Sequence, residues 1–103
     1  MNTDKIYYLE KIKKCETFIF FLENKIYDYE DSLILLNDLI VSTMKSPIVE
    51  DTEDDIIRKW NNKNKSIIQK SKRIRRLQRR IEGYGKEIAK IRSDIDLFNS
   101  KIS

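Results

Sequence analysis

Histidine is missing from this 103-residue chain, and glycine (two), proline (one) and cysteine (one) are scarce. Without histidine the chain lacks the commonest general acid/base and the commonest metal ligand. Ordinary globular chains carry about 7% glycine and 5% proline, so turn-rich sheet folds and Gly/Pro-rich disordered chains recede. A lone Cys15 makes no intramolecular disulfide and agrees with a reducing compartment. Apolar runs are short as well. The longest, Phe18-Ile19-Phe20-Phe21-Leu22, ends at Glu23, whereas a membrane span needs ~20 apolar residues. The start, Met1-Asn2-Thr3-Asp4-Lys5, lacks the basic-then-apolar order of a signal peptide, so a cytoplasmic protein with no membrane partner is expected.

What is abundant is charge, at 37% of residues, together with isoleucine and leucine in a repeating pattern. From Ile12, steps of seven reach Ile19, Ile26, Leu33 and Ile40. The interleaved set is Tyr8, Cys15, Leu22, Tyr29 and Leu36. From Trp60, steps of seven reach Ile67, Ile74, Ile81, Ile88, Ile95 and Ile102, interleaved with Ile56, Lys63, Lys70, Leu77, Tyr84, Ile91 and Phe98. These are the a and d positions of two heptad stripes, and a period of 3.5 residues implies left-handed supercoiling.

The only proline, Pro47, disfavours helix at Ser46 and interrupts the rod between the stripes. Thr52, followed three residues later by Asp55, reads as an N-cap, with Glu53, Asp54 and Asp55 on the positive end of the helix dipole. The predicted fold is therefore all-α and a single domain: helix over 4–44, acidic Pro-containing loop over 45–51 and basic helix over 52–102, closed as an antiparallel two-helix coiled-coil hairpin. The preferred register sets Ile40 against Ile56, Leu36 against Trp60, Leu22 against Ile74 and Tyr8 against Ile88. It keeps the connection short. Sliding by one heptad also pairs a with d, but moves Ile56 and Trp60 into the connection.

In the preferred register Ile95, Phe98 and Ile102 overshoot the first helix and lack intrachain partners. The first helix also carries more apolar surface than one seam uses, at Phe18, Phe20, Phe21, Tyr27, Ile34 and Val41, with Leu35 and Leu39 nearby. So wide an apolar arc predicts an interface. A homodimer forming a four-helix assembly is expected, since a chain of this size buries only a modest core by itself. A different protein covering the same face is the alternative.

No constellation points to catalysis, a metal, a cofactor or a small-molecule substrate. Cys15 occupies a d position and reads as a small core residue. The acids Glu50, Asp51, Glu53, Asp54 and Asp55 lack the ligand spacing and glycine of a calcium loop. Gly83 and Gly85 flank Tyr84 inside the heptad run and cost about 1 kcal/mol each. They predict a soft point or kink at 83–85, or else a close approach to a partner helix.

Charge is unevenly distributed. Residues 1–50 hold six lysines and nine acids, net −3, and residues 51–103 hold fifteen basic and eight acidic residues, net +7. No acid lies between Arg58 and Arg80, and Lys70, Lys72, Arg73, Arg75, Arg76, Arg79 and Arg80 fall within eleven residues. In the preferred register Glu16, Glu23 and Glu30 face Gln78, Ser71 and Asn64 rather than these arginines. Such a patch suits either an acidic protein surface or a nucleic-acid backbone. Lys63 and Lys70, at d positions, are expected to extend out of the seam, with Glu30 and Tyr29 as nearest partners.

Tyr8-Leu9-Glu10 near the start, a long helix, a Ser46-Pro47 loop with Glu50 and Asp51, and a basic second helix resemble the N-terminal helical region of small phage late-gene regulators of the RinA/ArpU type. The likeness covers roughly residues 5–90 and lies in the order of elements rather than in a diagnostic motif. It implies a protein of phage or mobile-element origin; those regulators continue into a sigma-like helix-turn-helix. In size and style the chain is also similar to stoichiometric inhibitors of host defence nucleases, anti-CRISPR proteins among them. The expected function is that of a non-enzymatic coiled-coil adaptor or inhibitor of a protein partner, with phosphate-gripping nucleic-acid binding as the second reading.

Overall fold

In a computed structural model describing residues 2–49 and 52–103, the chain forms two helices, α1 (Asn2–Lys45) and α2 (Glu53–Ile102). Glu50 and Asp51 of the predicted loop lie outside the described residues. Both helices begin and end within two residues of their predicted bounds, and no strand occurs among the described residues. The fold is an all-helical hairpin.

Local chemistry sets the helix ends. Ser46 still bonds to the helix, its N–H and its hydroxyl both donating to the Ser42 carbonyl (3.1 and 2.9 Å), and Pro47 follows. At the start of α2 the Thr52 hydroxyl accepts the Asp55 N–H (3.3 Å) and donates to the Asp55 carboxylate (2.7 Å). The cap is thus closed in both directions. Arg58 donates to the other Asp55 oxygen at 2.8 Å.

The heptad stripes become the packed sides of the helices. From Tyr8 to Ile40 in α1 and from Lys63 to Ile102 in α2, every a and d residue is buried or half-buried. The chain divides into two compact units: one up to Asp28 and from Arg80 onward, the other Tyr29–Arg79. In the first, Ile19, Leu22, Ile88 and Ile91 form a buried cluster, flanked by Cys15, Ile26, Tyr84 and Ile95. Leu22 is the most enclosed, at 3% exposure. Tyr8 meets Phe98 with ring centroids 5.9 Å apart, and Arg92 donates to Glu23 at 3.1 Å.

These contacts correct the expected register. Leu22 shares its cluster with Ile88 and Ile91 rather than meeting Ile74, a shift of two heptads. Ile95 and Phe98, expected to lack intrachain partners, pack on the cluster and on Tyr8 respectively, and Ile102 is half-buried. Glu23 faces Arg92, not Ser71.

The second unit shows what the shift exchanges. Leu36 is buried there, whereas Ile56 and Trp60, expected opposite Ile40 and Leu36, are exposed. Lys63 reaches the end of α1 and donates to the carbonyls of Met44 (3.1 Å) and Ser46 (2.8 Å), not to Glu30 or Tyr29. A helix C-terminus leaves carbonyls unpaired and carries negative dipole, so an ammonium is favoured there. In the expected register the same lysine would interrupt an apolar seam. The connection between Lys45 and Glu53 keeps its predicted length, so loop length does not separate the registers; burying one large apolar side chain contributes about 1.5–3 kcal/mol, and Ile95 and Phe98 gain contacts that Ile56 and Trp60 give up.

Helix α2 runs through Gly83 and Gly85 without a positive φ, and a Cβ added at either would meet nothing within 4 Å. No neighbouring helix approaches the backbone closely there. Each glycine therefore carries the helix-propensity cost with no packing gain within the chain. Gly83→Ala and Gly85→Ala are each expected to raise stability by about 1 kcal/mol, or about 4–8 °C in the thermal midpoint followed by circular dichroism. A lowered midpoint would contradict the open environment described here.

Candidate functional site

Two surfaces remain outside the seam, one on each helix. The a and d positions of α2 face the seam, so the b, c and f positions point outward. Between Ile67 and Leu77 and just beyond, those outward positions are Ile68, Gln69, Lys72, Arg75, Arg76 and Arg79. All six are exposed. The last four line a shallow depression of about 300 Å³.

Among the described residues the arginines here have no acidic partners. The carboxylates of the described ion pairs go elsewhere: Asp55 to Arg58, Glu82 to Lys86 at 3.5 Å and Glu23 to Arg92. Among the described residues, none of Lys72, Arg73, Arg75, Arg76 and Arg79 has a carboxylate within ion-pair distance. Lys72 and Arg76, and Arg75 and Arg79, are like charges four residues apart on one helix, each pair destabilising by about 0.2–0.5 kcal/mol.

Of the seven basic residues expected to act together, four line the depression. Lys70 is set apart: it is half-buried and its ammonium donates to the Ser66 hydroxyl. Arg73 is exposed at a g position beside the seam. Arg80 is also exposed and belongs to the other compact unit, where it likewise has no described carboxylate partner.

The second surface is the apolar side of α1. In the first unit Phe18, Phe20, Phe21 and Tyr27 are exposed, Phe20 at 65% and Tyr27 at 64%. Phe18 and Phe21 stack with centroids 6.2 Å apart, and the Lys25 ammonium lies 5.5 Å from the Phe21 ring centre. In the second unit Ile34, Leu35, Leu39 and Val41 are exposed. All six α1 residues expected at an interface are thus exposed, whereas Ile95 and Phe98 have packing partners within the chain and Ile102 is half-buried. Heptad phase alone missed the exposed Ile56, Ile57 and Trp60 at the start of α2. The signal that identifies them is Lys63, whose charge suits a helix end better than the middle of a seam.

Among the described residues no group of His, Cys, Asp and Glu is placed to hold a metal ion, and no helix is long and apolar enough to cross a membrane. The chemistry on offer at the two surfaces is apolar contact and cation donation.

Arg76→Glu replaces like-charge pairs with Lys72, Arg73, Arg79 and Arg80 by opposite-charge pairs. It is expected to raise stability by about 0.5–1 kcal/mol at low ionic strength, with the gain shrinking as salt screens the charges. Urea titrations at two salt concentrations read this directly; a destabilised variant at low salt would show that Arg76 has a partner within the fold. No protein-family model, curated protein or solved structure matches the chain.

Proposed function

We propose that the chain is a non-enzymatic, self-associating coiled-coil protein that acts stoichiometrically, as an adaptor or inhibitor. The observation that carries this reading is the exposed apolar side of α1 beside so thin a core. Only six described residues reach core burial, and none of their side chains is fully enclosed. Apolar surface of this extent on a small domain marks an interface, and a chain this size gains the burial it lacks by pairing.

Charge favours a second copy as the occupant. Along α1, residues 2–27 hold five lysines and four acids, net +1, whereas residues 28–45 hold one lysine and four acids, net −3. Two α1 helices packed antiparallel about a two-fold axis near Tyr27 set Phe20 against Ile34 of the second copy. The same arrangement sets Lys14 near Asp38 and Lys25 near Asp28 of that copy. An isologous contact of this kind closes on itself, as two-fold interfaces do. Parallel packing would instead set the acidic residues 28–45 of one copy beside the same stretch of the other. The product is a four-helix assembly whose basic α2 faces stay on the outside.

Light scattering after size exclusion is expected to give the mass of two chains at micromolar concentration. Tyr27→Glu with Ile34→Glu, both at exposed positions, is expected to give the mass of one chain while helical circular dichroism is retained. A wild-type chain that stays single, or a double variant that still pairs, overturns the proposed interface.

A further inference from the structure

The outward face of α2 lies apart from the proposed self-association surface and asks for a different ligand. We infer that Lys72, Arg75, Arg76 and Arg79 form a sequence-independent site for the phosphate backbone of a nucleic-acid duplex.

Four observations carry this. Three of the four side chains are arginines, whose planar forks match phosphate oxygens in pairs, and none has a described carboxylate partner that a ligand would have to displace. Their b, c and f phase turns them away from the seam, so binding leaves the hairpin core untouched. They are closely spaced: Lys72 to Arg79 rises about 10 Å along the helix, a length over which a duplex presents several phosphates at one per ~1.7 Å of axis. The fourth is the companion residues. No aromatic residue lies between Trp60 and Tyr84, so the stacking platform that single strands use is missing. Of the amide side chains nearby, Gln69 shares the outward face and Gln78 lies at an e position beside the seam, and neither lines the depression. The depression itself thus holds no Asn/Gln side chain for bidentate base reading, and phosphate contacts alone give affinity without sequence preference.

An acidic protein is the competing class of partner. Protein interfaces place apolar or aromatic anchors at their centre and keep charge to the rim. The depression itself is lined by cations alone, an arrangement closer to a polyelectrolyte site.

The test is fluorescence anisotropy of a labelled random-sequence DNA duplex, titrated with the full chain across a sodium chloride series. Four phosphate contacts predict a slope of log affinity against log salt between about −3 and −4, and a loss on the order of 100-fold between 50 and 200 mM salt. Arg75→Gln/Arg76→Gln/Arg79→Gln is expected to lower the magnitude of that slope by about 3, with helical content and oligomeric mass unchanged. A single strand of the same sequence is expected to bind more weakly. The inference is overturned by no binding at the lowest salt, by an unchanged slope in the triple variant, by tighter binding of the single strand, or by polyglutamate competing as well as unlabelled duplex. Oligomeric mass is read separately, so loss of this site and loss of self-association are told apart.

Discussion

The structure depends on one packed seam, the a and d side chains of α1 meeting those of α2, with Ile19, Leu22, Ile88 and Ile91 at its most buried point. Each helix by itself is a long, highly charged segment whose stability in water would be marginal without an apolar partner. Pairing is what turns two amphipathic stripes into a fold. It also determines what is left over, because the b, c and f positions of α2 and the apolar positions of α1 beyond its a and d stripe become surface. The apolar residues of α1 and the arginines of α2 are available to partners for that reason.

The register follows from where charge is tolerable. Lys63 and Lys70 both occupy d positions. Placing Lys63 at the C-terminus of α1 supplies its ammonium with the Met44 and Ser46 carbonyls and frees the seam for Ile95 and Phe98. What the chain gives up is burial of Ile56 and Trp60, which lie exposed at the start of α2. The hairpin thus sets a polar satisfaction and a fuller apolar contact at the far end against two exposed side chains near the connection.

Helix existence, helix ends and the buried stripes were all legible in the sequence, since a seven-residue repeat specifies both the element and its inward side. The Thr52–Asp55 cap was legible for the same reason: it is local. Register was not, because a heptad repeat is nearly self-similar and several alignments pair a with d equally well. Only the irregular members of the stripe, Lys63 above all, distinguish them. Lys70 shows the same limit on the functional side: composition groups it with Arg75 and Arg76, whereas its d position turns it toward the seam and Ser66.

The two leftover surfaces differ in kind. The α1 side offers exposed apolar area, while the α2 face offers concentrated positive charge that opposes helix stability. In the proposed reading one surface joins copies of the chain and the other holds a polyanion.

The intrachain hairpin and its register underlie all of this, and a single cross-link tests both. With Cys15→Ser as background, Glu23→Cys and Arg92→Cys place thiols at two exposed positions whose native side chains meet at 3.1 Å. A short bis-maleimide reagent applied to the dilute protein is expected to join them within one chain, giving a product with the mass of a single chain under denaturing conditions and one linked peptide pair by mass spectrometry. Failure of the two thiols to join, or joining only between separate chains, would contradict the hairpin in this register.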